Sequence, residues 1–295
     1  MAFKTGNKKV LKRALIKGYK HSTNDIAYAA KNGQLEIIKW ARKYEYEWDS
    51  LTCAYAARGG HLEILKWLRE QGCAWDSETC VKAAFGNNFE ILKWAFNNGC
   101  CWDNTVRVCA GAAYVGNLEM LKWLKEKNYP WNWLTISKAA RAGHLEIIEW
   151  ARANGCKWHA EACSEAAYAG NLEMLKWLRQ KNCPWNERTI SNAALAGHLD
   201  IIEWARANGC EWNTEACSKA AMNGHLETLK WLRKKGCPWD KTVFNRALEA
   251  FRDNDNIEIV KWVYANGCEW NDKLYKNVKS IKNLKIQEWV KDTFE

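Results

Sequence analysis

The sequence predicts an all-α protein in which short helix–turn–helix units follow one another in tandem. Of its 20 tryptophans, 19 fall into two sets, and the members of each set mostly lie 27 residues apart. Each unit also holds an amphipathic segment with apolar residues at helical spacing, closed in most units by glycine or asparagine. A fixed period of this length is typical of a solenoid, in which each unit buries its apolar face against its neighbours.

The second helix of each unit carries the first tryptophan set. In residues 61–71, Leu65 and other apolar side chains lie on one side, and Lys66 and other charged side chains lie on the other, which is helical amphipathicity. Gly72 closes this helix because a left-handed residue is needed there, and Glu45 is the one equivalent residue that is neither glycine nor asparagine. The set consists of Trp40, Trp67, Trp94, Trp123, Trp150, Trp177, Trp204, Trp231, Trp262 and Trp289.

The first helix of each unit begins after a member of the second tryptophan set. Asp49 offers a short acceptor side chain that caps free N–H groups of the helix, and the equivalent residues are Asp or Asn except at His159. Cys53 and the alanine pair that begins at Ala56 form a stripe of small side chains, which permits close helix approach. The helix ends before Gly60. The second set consists of Trp48, Trp75, Trp102, Trp131, Trp158, Trp185, Trp212, Trp239 and Trp270.

These units predict one array over residues 1–295. We expect an N-terminal capping helix in 1–21, nine repeats in 22–270 and a C-terminal capping repeat in 271–295. An insertion near residues 249–256 interrupts the period, and its acidic string at 252–255 is predicted to form a bulging surface loop.

The strings AARGGHLEILKWLREQGC and AARAGHLEIIEWARANGC resemble the ankyrin repeat pattern AAxxGHLEVVKLLLxxGA over nearly the whole chain. The resemblance implies an ankyrin-like helix–turn–helix solenoid. Because the repeat is shorter than the usual 33 residues, shortened loops and few or no β-hairpin fingers are expected. The usual Thr-Pro-Leu-His opening is replaced, for example at Thr79-Cys80-Val81-Lys82, which implies loss of the histidine that ties neighbouring repeats. Short tryptophan-containing repeats of this kind resemble those encoded by giant DNA viruses of amoebae and by some protists.

The 13 cysteines and the recurring histidines are interpreted as packing and turn residues. Most cysteines share the phase of the repeat and no CxxC pair occurs, so buried thiols are expected, with no metal and no cofactor. Cys101 is out of phase and is predicted to be an exposed thiol. Histidine alternates with asparagine at one turn position, and no nucleophile elbow, HExxH or phosphate loop occurs. The sequence therefore predicts a protein that is not an enzyme. The histidines are His61, His144, His198 and His225.

Charge and hydropathy limit the class of protein further. The net charge of +10 is compatible with an acidic partner. No apolar run is long enough for a membrane span or a signal peptide, so no membrane partner is expected. Because no catalytic motif occurs, no small-molecule substrate is expected either. An intracellular location is predicted, in the cytoplasm, and in the host cytoplasm for a viral protein. The nucleus and a virion stay open as alternatives.

The tryptophans allow two interpretations. They could stack nucleobases, but their phase favours packing in the core and beside the next cap. Trp133, outside both sets, is predicted to be exposed.

The positions that vary while the scaffold repeats are the candidate binding site. They flank the Ala-Ala pair of the first helix and, by helical spacing, point away from the small-residue stripe. The ankyrin resemblance implies that this face is concave and binds proteins, and aromatic residues, Arg and Met are enriched in interfaces. We therefore predict a scaffold that binds an unknown protein, and a host protein is one candidate. The alternative prediction is a basic array that binds nucleic acid or another polyanion. The selected residues, called the first-helix row, are Tyr28, Tyr55, Arg58, Lys82, Phe85, Tyr114, Lys138, Arg141, Tyr168 and Met222.

Overall fold

The computed structural model describes residues 23–100, 105–254, 257–268, 278, 281 and 283–294, and every regular element within them is an α-helix. The chain divides into two compact units, residues 1–157 and 158–295. Both are built from the short helix pairs that the repeat predicts. The capping helix expected in residues 1–21 lies outside the described residues, and the single continuous array stays a prediction.

In the first unit, odd-numbered helices are first helices of repeats and even-numbered helices are second helices. They are α1 (Thr23–Lys31), α2 (Leu35–Lys43), α3 (Ser50–Gly59), α4 (Leu62–Glu70), α5 (Ser77–Phe85), α6 (Phe89–Asn97), α7 (Arg107–Tyr114), α8 (Leu118–Glu126), α9 (Trp133–Ala142) and α10 (Leu145–Ala153).

The second unit continues the same alternation and ends in one helix of the last repeat. Its helices are α11 (Glu161–Tyr168), α12 (Leu172–Gln180), α13 (Glu187–Ala196), α14 (Leu199–Ala207), α15 (Thr214–Met222), α16 (Leu226–Lys234), α17 (Lys241–Asn254), α18 (Glu258–Ala265) and α19 (Leu284–Phe294). The loops are short, as predicted: residues 71–76 join α4 to α5, where the described residues contain no strand.

Side-chain caps start the first helices as the sequence predicts. An Asp49 carboxylate oxygen accepts a hydrogen bond from the Leu51 N–H at 3.1 Å, which satisfies one of the free donors of the helix end. His159, the exception among the cap residues, caps its helix through the imidazole ring. Its Nδ1 accepts a hydrogen bond from the Glu161 N–H at 3.1 Å. The cap position is therefore conserved in function although the residue type changes.

Small side chains let the first helices pack directly on one another. In the first unit α1, α3, α5, α7 and α9 contact in succession, and in the second unit α11, α13, α15 and α17 do so. The stripe of Cys53, Ala56 and Ala57 is fully buried in this contact. Second helices add larger side chains such as Leu65 and Leu68, which are also fully buried. Among the described helices, second helices of adjacent repeats approach each other less closely than first helices.

The prediction of an acidic surface loop at residues 252–255 is wrong for residues 252–254, which are helical. Helix α17 continues through residues 252–254 and is 14 residues long, whereas the other first helices have 8 to 10. The inserted residues extend a helix whose buried face includes Phe244 and Phe251. Apolar residues at helical spacing therefore outweigh the local acidic composition.

Left-handed residues end the helices at the predicted glycines, and Glu45 shows what the departure costs. Gly72 has φ of 76° and Glu45 has φ of 60°, a conformation that costs an L-residue about 1–2 kcal/mol.

We expect Glu45→Gly to raise the free energy of unfolding by about 1 kcal/mol, measured by urea titration with circular dichroism. The control is Gly72→Glu, because a Cβ there meets no atom within 4 Å. That substitution should destabilise by a similar amount, and a neutral result would contradict the conformational cause.

Candidate functional site

The first-helix row lies at the partly exposed edge of the first helices. Arg58 and Tyr114 are exposed, and the other eight members are partly buried. The row therefore reaches solvent, but its side chains also pack on their neighbours. Its members in the second unit are Tyr168 and Met222, and the other eight belong to the first unit.

Aromatic members of the row pair across adjacent repeats. The Tyr28 and Tyr55 rings meet edge to face with centroids 5.6 Å apart, and the Phe85 and Tyr114 rings are 5.8 Å apart and tilted. Space for the second pair comes from Gly111, where a Cβ would lie 3.0 Å from Phe85 Cδ2. Each pair thus joins two repeats into one aromatic patch, of which Tyr114 is 40% exposed.

Lys82, a charged member of the row, is held by an ion pair that was not predicted from the sequence. Lys82 Nζ lies 3.0 Å from a Glu78 carboxylate oxygen, and Arg107 of the next repeat lies 2.7 Å from the other oxygen. Partial burial favours the neutral form of Glu78, but hydrogen bonds from Lys82 and Arg107 outweigh it and lower the pKa of Glu78. Glu78 and Arg107 do not belong to the predicted site. The Lys82–Glu78 pair lies within one helix, whereas the pairing of Glu78 with Arg107 depends on the packing of adjacent repeats.

Beside the row, the residues that precede the alanine pairs in the second unit include buried or engaged charged side chains. Glu165, which precedes an alanine pair, is only 7% exposed. The Lys219 ammonium donates to Asn192 Oδ1 at 3.0 Å and lies 3.3 Å from Glu215. Lys219 and its partners form a hydrogen-bonded surface, in contrast to the aromatic patches of the first unit.

The tryptophans of the second helices are not core residues, which corrects the packing interpretation. Among the described members only Trp289 is buried, and the others are half-buried at the surface. Seven of the described members meet the loop tryptophan of the preceding repeat edge to face, with ring centroids 5.5 to 6.4 Å apart. We call these pairs the tryptophan ladder and each pair a rung. The rungs are Trp48–Trp67, Trp75–Trp94, Trp131–Trp150, Trp158–Trp177, Trp185–Trp204, Trp212–Trp231 and Trp239–Trp262.

Cations of the second helices cover the loop tryptophans of most rungs. The Arg206 guanidinium lies 4.3 Å from the Trp212 ring centroid and donates to the Cys210 carbonyl at 3.0 Å. Arg42, Arg69, Arg179 and Arg233 stack in the same way, and Lys125 takes this role over Trp131. The charged side of the second helices is therefore partly ordered by cation–π contacts.

The histidines hold neighbouring repeats together. His61 Nε2 donates to the Lys31 carbonyl of the preceding repeat at 3.1 Å, and His144 Nε2 donates to the Tyr114 carbonyl at 3.2 Å. At the equivalent position, Asn88 Nδ2 donates to the Ala57 carbonyl at 2.8 Å. The histidine of the Thr-Pro-Leu-His opening is absent from these repeats, and a histidine or asparagine at the turn position makes a connection between neighbours instead.

The cysteines are buried as predicted. All 12 within the described residues are inaccessible to solvent, and Cys101 lies outside those residues. Burial raises the pKa of Cys109 to about 12 and that of Cys156 to about 11. A hydrogen bond with the Cys73 thiol, together with burial, also raises the pKa of Cys53. The thiols of Cys53, Cys109 and Cys156 therefore stay protonated at neutral pH, and a protonated thiol is a poor nucleophile.

The described part of the chain contains no group of three or more His, Cys, Asp or Glu side chains placed to hold a metal ion. Within the same residues, no helix has both the length and the apolar character needed to cross a membrane. Trp133 is 36% exposed, as its position outside the two sets predicts.

Comparison with known proteins assigns the chain to no family. No known family matches the chain, and no curated protein is similar to it. Among solved structures, the pentatricopeptide repeat protein PPR10 from maize superposes with a TM-score of 0.43 and 15% identity over 97% of this chain. The chain spans about half the length of that protein, 52%. The helical repeat is therefore assigned from the helices described above.

Proposed function

We propose that this helical repeat protein is a non-enzymatic scaffold that binds a partner protein through the first-helix row. The observation that carries the proposal is the aromatic patch of Phe85 and Tyr114, which joins two repeats while Tyr114 remains 40% exposed. Close packing of the first helices supports a concave face on this side. Arg58 adds an exposed guanidinium near one end of the same row, and aromatic and Arg anchors dominate protein interfaces.

The test is affinity capture from a lysate of the cell that makes or receives the protein. Phe85→Ala with Tyr114→Ala should weaken retention of the captured partner by at least about 2 kcal/mol, as removal of an interface anchor does. Trp133→Ala is the matched control, because Trp133 is an exposed aromatic residue outside the row. Equal retention by both variants at equal thermal stability would exclude the row as the binding surface.

The proposal extends to origin and location. An ankyrin-type repeat is supported by the GHLEILKWL strings and by the short helix pairs that those strings form. We infer a viral or protist protein that acts in the cytoplasm, of the host cell in the viral case. Localisation of the tagged chain by immunofluorescence tests this part separately.

Binding of nucleic acid or another polyanion is the second candidate function. The net charge of +10 and the cations along the tryptophan ladder favour it. It predicts an affinity that falls steeply as salt rises, because bound cations release counterions from the polyanion.

A further inference from the structure

Two equivalent notches open beside the tryptophan ladder of the second unit. One has a volume of about 470 Å³ and the other about 400 Å³, and every lining residue of one is 27 residues from its counterpart in the other. The first is lined by Glu203, Arg206, Ala207, Trp212, Trp231 and Lys235. The second is lined by Lys176, Arg179, Gln180, Trp185, Trp204 and Asn208.

The chemistry of the notches is aromatic and cationic. Each contains both tryptophans of one rung, and the two linings together carry four cationic side chains and the carboxylate of Glu203. Two of the cations also lie beside carboxylates outside the linings, Lys176 at 2.8 Å from Glu173 and Arg206 at 3.7 Å from Glu211, which leaves the cations in excess. A cationic ligand is disfavoured by this charge. A ligand that joins a planar aromatic group to a negative charge satisfies both features, because tryptophan packs on the aromatic group and Arg or Lys pairs with the charge.

The cations are positioned before any ligand arrives. Stacking on Trp212 and the hydrogen bond to the Cys210 carbonyl fix the plane of Arg206. The Arg206 nitrogen that donates to this carbonyl also lies 3.7 Å from a Glu211 carboxylate oxygen. A guanidinium carries five N–H donors, so donors on its other nitrogens can still meet a ligand. Lys235 is exposed and lies 5.9 Å from the Trp231 ring centroid. The notch thus offers the held guanidinium of Arg206 on one side and the exposed ammonium of Lys235 on the other.

Repetition of the notch points to a polymer. Two like notches in successive repeats suit a ligand whose units recur along a chain, each with an aromatic face and a charge. An acidic peptide supplies the charges without an aromatic group in every unit, and a free nucleotide needs only one notch. Single-stranded nucleic acid has both properties.

We propose that the notches at the Trp185–Trp204 and Trp212–Trp231 rungs bind single-stranded nucleic acid. Bases pack against the tryptophans, and phosphates pair with Arg179, Arg206, Lys176 and Lys235. This inference rests on the second candidate function above and is independent of protein binding by the first-helix row.

The experiment measures fluorescence anisotropy of a labelled oligouridylate and a labelled oligothymidylate with the full chain. Lys176→Gln with Lys235→Gln removes one surface charge from each notch without removing a stacked side chain. We expect about tenfold weaker binding and a salt slope reduced by about 2, one for each lost phosphate contact. The control, Lys43→Gln with Lys241→Gln, removes the same charge from exposed sites elsewhere and should change the affinity less than about twofold.

Two further arms examine shape and aromatic contact. Arg206→Lys keeps the charge but loses the planar guanidinium, so it should also weaken binding. Polyglutamate and free uridine monophosphate should compete poorly, since the first lacks bases and the second occupies one notch.

The outcomes separate the site from the function. If the full chain binds neither oligonucleotide at low salt, nucleic-acid binding and the notch assignment both fail. If it binds but the notch variant and the control variant weaken equally, the function stands and the notches are excluded. If polyglutamate competed as well as unlabelled oligonucleotide, the proposed contact between tryptophans and bases would be wrong. If uridine monophosphate competed as well, the inference that the ligand is a polymer would be wrong.

Discussion

Phe244→Ala is expected to lower the free energy of unfolding by about 3–5 kcal/mol, as truncation of a buried Phe does. Phe244 is fully buried in α17, which packs against α15 and α18. The equivalent position holds a smaller cysteine in other repeats, for example Cys217. Because the repeat of α17 and α18 has filled this space with a ring, truncation leaves a larger cavity here than at the equivalent sites.

Cys217→Ala is the matched control for that cavity. Cys217 is also fully buried, but its removal deletes one sulfur atom and should cost only about 1 kcal/mol, close to the loss of one buried methylene. Urea titration followed by circular dichroism measures both variants. If Phe244→Ala cost no more than Cys217→Ala, the phenyl ring would not fill a close-packed site.

The helix boundaries and caps are predictable from sequence because their causes are local. Asp49 lies two residues before the N–H that it caps. Gly72 itself adopts the left-handed backbone conformation that follows α4. The ion pair of Glu78 with Arg107 spans 29 residues, and no pattern in either segment specifies it. Local chemistry thus determines the helices, whereas contacts between repeats determine which row side chains are already engaged.

The place of the tryptophans was mispredicted for the same reason. Trp67 occupies an apolar position of an amphipathic helix, which by itself indicates the core. Its main aromatic partner is Trp48 of the preceding repeat, and the second helices of adjacent repeats are not close enough to bury both rings. The indoles therefore fill the surface gap between second helices, and this placement creates the cationic notches.

The ladder should contribute to stability as coupled pairs. Trp212→Ala and Trp231→Ala are each expected to lower the free energy of unfolding by about 2 kcal/mol, since both rings are half-buried and a fully buried aromatic costs about 3–5 kcal/mol. The rings meet at 6.3 Å and 78°, an edge-to-face geometry worth about 0.5–1.5 kcal/mol beyond area burial. The double variant should therefore lose less than the sum of the single losses by about 1 kcal/mol.

A second cycle with Trp185→Ala and Trp231→Ala gives the comparison, because these residues belong to different rungs. Their losses should add to within about 0.5 kcal/mol. Urea titration by circular dichroism supplies all the values, and the slope of each transition checks that repeats unfold together. Additivity in both cycles would mean that the rungs are only surface neighbours. Coupling confined to the first cycle would establish that the indole pair itself joins adjacent second helices, in place of the direct contact that the first helices make through alanine.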